Sequence, residues 1–141
     1  MRGWLAWTVA AVWLCGCGSS QGAKQADPVT GPEVTIEALL KAPLALADGV
    51  EVIVSRVSVP AGEKLPLHTH PGEEFVHVVA GSGTLELRGK DPVPLAAGQS
   101  AVVPLGAVHA FTAGPRGARA IVFRVHEQGK PPRTLVPSGD R

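Results

Sequence analysis

From residue 51 onward the apolar positions recur as short runs with the spacing of β-strands. In 51–59 (EVIVSRVSV), rich in Val and Ile, the second half puts Val57 and Val59 on one face and Arg56 and Ser58 on the other. That alternation fits a half-buried strand. Pro60-Ala61-Gly62 reads as the turn that closes it. Similar runs follow at 74–80, 84–88, 100–104, 109–113 and 119–126. Gly81-Ser82-Gly83, Gly89-Lys90-Asp91-Pro92, Gly98, Gly106 and Gly114-Pro115 punctuate them. Many short strands with Gly/Pro punctuation, and no convincing long helix, predict an all-β sandwich or barrel. Residues 34–49 (VTIEALLKAPLALADG) fit either a short strand or a helical turn broken at Pro43.

The two ends follow different patterns. The amino terminus has one positive charge at Arg2, an apolar run from Trp4 to Leu14, and then small residues. The run is too short for a spanning helix and suits a secretory signal. Leu14-Cys15-Gly16-Cys17 resembles a bacterial lipobox, which implies a signal peptide over 1–16 and lipidation of Cys17. A plain signal-peptidase site and an uncleaved anchor are the competing readings. Residues 17–33 hold almost no bulky apolar side chains and read as a flexible tether, spanning roughly 20 Å as a coil. Residues 34–127 form the expected folded domain. Residues 128–141 form a proline-rich tail, either laid along the domain or frayed.

Composition narrows the function classes. A chain of 141 residues suits one domain with appendages, and its 45% apolar content can supply a core. The net charge of +1, without a Lys/Arg cluster, gives no reason to expect nucleic acid as a partner. Two cysteines, both near the amino terminus, leave no second pair for a disulfide framework or a thiolate metal site.

The candidate chemistry centres on HTHPGEEF, residues 68–75. In an extended strand, i and i+2 share a face, so His68 and His70 can converge on one point. Reading outward, Gly62, His68, His70, Glu74 and Gly81 follow one another with five, one, three and six residues between them. After Gly98 come Pro104, Gly106 and His109, with five, one and two residues between. This ordered spacing resembles the two motifs of the cupin superfamily, with Ala113 where the second motif ends in Asn. The resemblance covers about residues 50–127 and implies a small jelly-roll β-barrel.

The resemblance further implies a mononuclear metal site with His68, His70, Glu74 and His109 as ligands. Such nitrogen and oxygen donors suit one divalent transition metal (Fe, Mn, Ni, Cu, Co or Zn), and the lack of thiolates argues against soft-metal sites. Val76, Val78 and Phe111 are the expected apolar pocket neighbours. Glu73 is expected in the turn, solvated. His77 is expected to be structural or exposed, and His126 solvated at a strand end. Arg56 and Arg124 have the spacing of a charged strand face, which is preferred over contact with an anionic ligand.

Cupins carry many activities, so fold leaves function open. Within that range the chain resembles small single-domain quercetinase-like members. One reading is a metal-dependent dioxygenase acting on a small organic molecule. The other is a non-catalytic lipoprotein that binds a metal or a small molecule at the bacterial envelope, facing the periplasm or the exterior. The chain has no tyrosine, which removes any Tyr proton donor. A membrane contact through the lipid and a homodimer that covers exposed strand edges are the expected associations.

Overall fold

The computed structural model describes residues 28–137. The expected signal peptide, the acceptor Cys17, the tether up to residue 27 and the last four residues of the tail lie outside the described residues. The described residues form eight strands: β1 (Thr35–Pro43), β2 (Val50–Val59), β3 (Lys64–Thr69), β4 (Gly72–Leu87), β5 (Val93–Ala96), β6 (Ser100–Val103), β7 (His109–Glu127) and β8 (Thr134–Leu135). The segment 34–49, open between strand and helical turn, is a strand over most of its length. β1 pairs antiparallel with β2, with a bulge between Ala38 and Leu40.

Two long strands organise the jelly roll. The carboxyl-terminal half of β7 pairs with β2 from Val59↔Ala118 to Val50↔Glu127, while its opening residues pair with β3 through Lys64↔Thr112 and His68↔His109. β4 runs beside β7 along nearly its whole length, from Gly72↔His126 to Leu87↔His109, and also carries β5 and β6. One strand thus belongs to both faces, and its inward side chains meet in one interior.

The sequence divides this pair into four strands at the glycines, and here the structure differs. Gly81-Ser82-Gly83 does not end a strand, nor does Gly114-Pro115; both segments continue as bent strands. Gly81 and Gly117 have φ of 72° and 74°, which L side chains rarely adopt. A Cβ on Gly81 would also overlap the carbonyl of Gly117. The two strands therefore turn the corner together, with bulges at Val78/Ala80 and Gly81/Gly83, and keep their pairing. β3 and β5 have no counterpart among the expected strands. Pro66 interrupts the ladder of β3, whose register shifts between Leu65 and His68, because proline has no N–H to contribute.

The core forms two clusters of buried side chains. One joins Val57, Val59, Val76, Ala113, Ala118, Ala120 and Val122; the other joins Val78, Leu85, Leu95 and Val103. Phe111 packs against both. The predicted alternation in β2 is present, with Val57 and Val59 buried and Arg56 exposed against Glu37 at 2.7 Å. Both ends of the described chain lie on the domain. Val29, inside the expected tether, is buried and donates its N–H to Arg116 O. The tail is laid along the barrel, with β8 pairing β3 through His68↔Leu135 and Thr69↔Thr134.

Candidate metal centre

His68 and His109 are cross-strand partners in the β3–β7 ladder, so both imidazoles leave the sheet on the same side. Their ring centroids are 4.2 Å apart. His70 lies just past β3, before the Pro71-Gly72 bend, and its ring sits 4.8 Å from His68 and 5.1 Å from His109. One nitrogen from each of the three lies within 4.8 Å of the others. Glu74, on the inward face of β4, places Oε2 2.9 Å from His70 Nε2 and Oε1 3.7 Å from His109 Nε2. The spacing of 68, 70, 74 and 109 along the chain becomes a cluster because the β4–β7 pair closes the interior.

Each imidazole is held from behind by a backbone carbonyl. Nδ1 of His68 lies 2.7 Å from Pro66 O, that of His109 3.0 Å from Ala107 O, and that of His70 2.6 Å from Pro132 O. A carbonyl only accepts, so the proton sits on Nδ1 and the lone pair of Nε2 faces the centre. Arg124 Nη1 approaches His70 Nδ1 at 3.3 Å, but that nitrogen has already donated. The guanidinium instead donates to Pro132 O at 2.6 Å. The buried Nε2 atoms of His70 and His109 have no hydrogen-bond partner among the described residues. An unprotonated nitrogen 2.9 Å from a carboxylate is repulsive unless a cation lies between them. The donor set and these orphaned atoms fit a divalent ion.

The electrostatics point the same way. Burial pushes His68 down to about 4; the Pro66 carbonyl opposes this, and the neighbouring His109 and His70 add to it. Burial likewise lowers His109. Two of the three imidazoles are thus neutral at pH 7, the state in which an imidazole can bind a metal. Burial alone would raise Glu74, but positive charge at His70, His109 and Arg124 outweighs it and holds the carboxyl below its usual range; with the rings neutral, Arg124 and a bound cation would supply that charge.

Above the cluster lies a cavity of about 190 Å³, walled by apolar side chains that include Val57, Val59, Val76, Leu85, Phe111 and Val122. Of the expected pocket neighbours, Val76 and Phe111 line it. Val78 does not. Fully buried, it packs with Leu85, Leu95 and Val103 and supports the wall from behind.

Glu73 lies in β4 rather than in a turn, and it is exposed. His77 is exposed on the outer face, with Nδ1 2.9 Å from Ser100 Oγ. His126 is not solvated: it is 3% exposed, with Nε2 2.9 Å from Glu51 Oε1, which also meets Lys41 Nζ at 3.0 Å. Gly72 faces it in the ladder, and the missing Cβ leaves the space that the His126 side chain fills. Arg124 is no part of a charged outer face; it is 7% exposed and lines the cavity, with Nε 3.6 Å from Glu74 Oε2. Sequence alternation offered a signal, since Arg124 shares a strand face with Val122 and Ala120, but it did not show that this face is buried.

Residues 55–124 match the family model described as a cupin domain. No curated protein matches the chain. Among solved structures, the DMSP lyase DddQ from Ruegeria pomeroyi is similar at 26% identity and a TM-score of 0.61, over 80% of this chain and 59% of that one. A cupin-like protein from Thermotoga maritima is 24% identical with a TM-score of 0.60, over 74% and 77% of the two chains. KdgF from a Halomonas species is 20% identical with a TM-score of 0.55, over 70% and 84%. The chain thus spans 59% of the length of the lyase and more of the other two.

Proposed function

With residues 55–124 forming a cupin domain, we propose that this protein is a mononuclear divalent-metal enzyme of dioxygenase type that acts on a small organic molecule. The observation that carries this reading is the convergence of three imidazoles, each oriented by a backbone carbonyl, beside Glu74 at the base of an apolar cavity. His68, His70, His109 and Glu74 would hold the ion. When bound, such an ion supplies a Lewis-acid or redox centre with positions open to substrate, water or O₂. The protein's own contribution is placement. The carbonyls of Pro66, Ala107 and Pro132 keep each ring in one tautomer, and the valine and phenylalanine walls exclude water. Glu74 lowers the charge of the site.

The likeness to DddQ brings lyase chemistry into the same frame. An eliminating lyase needs a base, and with no tyrosine in the chain the bases lining the cavity are Glu74 and the imidazoles. That scarcity favours the dioxygenase reading, in which O₂ chemistry at the ion asks less of acid–base side chains. It also supports a second reading: a non-catalytic lipoprotein that holds a metal or a small molecule.

The deciding experiment is metal analysis of the purified protein, followed by O₂ uptake with a panel of phenols and small organic acids. One equivalent of Fe or Mn with turnover supports the enzyme. Bound metal with no turnover leaves the binding lipoprotein. Full metal occupancy in both His68→Ala and His109→Ala would overturn the ligand assignment.

The location proposed is the bacterial envelope, through lipid on Cys17, facing the periplasm or the exterior. We also propose a homodimer. Phe75 and Phe123, with ring centroids 6.2 Å apart, and Val102 form an exposed apolar patch on the outer face of β4, β6 and β7, and burying it in a copy of the chain would remove it from water.

A further inference from the structure

Arg124 has a position that its structural contacts do not account for. A guanidinium presents two nitrogen edges, each able to grip a carboxylate. Here Nη1 is committed to Pro132 O, while the buried Nε has no hydrogen-bond partner, its nearest carboxylate oxygen being Glu74 Oε2 at 3.6 Å. A buried cation with an unused donor that lines a cavity is costly unless something arrives to accept from it.

Charge carries the argument further. Arg124 and Glu74 cancel formally, and an imidazole that gives its lone pair to a metal ion carries no charge of its own. A divalent ion at the imidazoles therefore leaves the cavity with its full double positive charge in apolar surroundings. Arg133, at the cavity's exposed rim, adds to this rather than opposing it. Such a site selects an anion, because desolvating an extra positive charge there would be prohibitive and a negative one is repaid.

The walls set the rest of the ligand. An apolar cavity of roughly 150 Å³ accommodates a benzene ring; this one, at about 190 Å³, has room for a ring or a short chain bearing one small head group. Glu74 lies beside the ion, so a dianion would meet its carboxylate.

We propose that the cavity binds a small monocarboxylate with an apolar body, its carboxylate held between the metal position and the guanidinium of Arg124. This rests on the metal reading above and deepens it by naming the substrate class. Arg124 is then a specificity-determining residue, distinguishing an acid from the amide or alcohol of the same shape.

The test is calorimetric titration of the metal-loaded protein, its metal content measured in the same sample, with benzoate against benzamide and hexanoate against hexanamide. The acids are expected to bind about 10- to 100-fold more tightly than their amides. In Arg124→Gln, with metal retained, most of that preference should vanish; Arg124→Lys should keep part of it, which separates charge from mere folding. In the metal-free protein the preference should shrink, because the Arg124–Glu74 pair is neutral. Equal binding of acid and amide by the metal-replete wild type would overturn the inference while leaving the metal site intact. So would an undiminished preference in Arg124→Gln. Failure to take up any metal would instead bring down the metal reading itself, and the metal assay tells the two failures apart.

Discussion

The imidazole Nδ1 of His70 lies 2.6 Å from the carbonyl oxygen of Pro132, a residue 62 positions further along the chain. The tail therefore reaches the candidate metal centre, and the same carbonyl receives Arg124 Nη1. A ligand whose rear nitrogen loses its acceptor loses its fixed tautomer, which typically costs 10- to 100-fold in metal affinity. Deleting residues 131–141 should weaken binding by about that factor in chelator competition. The β-rich circular dichroism should persist. Unchanged affinity in the truncated protein would mean that the tail is not needed to hold His70.

Acid should destabilise the metal-free protein in a defined window. Folded His68 takes its proton near pH 4, against 6.5 for the exposed side chain. Between these values the unfolded chain binds a proton that the folded one does not, so stability is lost as pH falls from 6.5 toward 4. One such proton is worth about 1.4 kcal/mol per pH unit. His109 is displaced in the same direction. Glu74, lowered from 4.5, adds a further loss once pH drops below that value. The urea midpoint should fall steadily from pH 7 to pH 4, and His68→Gln should flatten the profile; a wild-type midpoint independent of pH would contradict this account.

Gly72 should resist even the smallest substitution. Its backbone carries no positive φ, so the objection to a side chain is packing alone. A Cβ there would overlap Val125 O and the Cβ of His126. Gly72→Ala should cost about 1–3 kcal/mol by overpacking, visible as a lower urea midpoint. The same change at Gly98, where a Cβ meets nothing within 4 Å, is strained only by its φ of 87° and should cost less.

His126→Leu tests the buried contact between His126 and Glu51. It leaves Glu51, with its side chain 3% exposed, facing only Lys41, whose own side chain is 60% exposed. Leaving a buried polar group without its neighbour costs about 1–3 kcal/mol. Thermal unfolding should register that loss, with metal affinity roughly unchanged because Arg124 and Glu74 pair two rows further along the ladder. A large drop in metal affinity would show that the two rows are coupled.

Cys17→Ser should move the protein from the membrane fraction to the soluble one, since one substitution removes the acceptor for the lipid. Identical fractionation of variant and wild type would dismiss the lipobox reading.

What could be read in the residue order and what could not divide along a physical line. Period-two alternation marked Val57 and Val59 as inward and Arg56 as outward, and the described structure agrees. Motif spacing singled out His68, His70, Glu74 and His109, which the fold brings into one cluster. The same order misled at Gly81 and Gly114. A glycine that lets two paired strands bend together is written with the same letter as one that ends a strand, and only the partner strand tells them apart.

His126 and Arg124 show the other limit. Alternation assigns them to the face of Val122 and Ala120, but a face is inside only if other segments close over it. Around Arg124 the bend after β3 and the tail do that, bringing His70 Nδ1 and Pro132 O against the guanidinium. The sequence alone determined the strand character, the donor types of the candidate site and the spacing of the motif, because these depend on residue identity and local order. Tertiary structure decided which charges are buried, that Val78 backs the wall instead of forming it, and that Pro132 serves His70. Burial and the Pro132 contact arise from segments distant in sequence, and no local pattern records them.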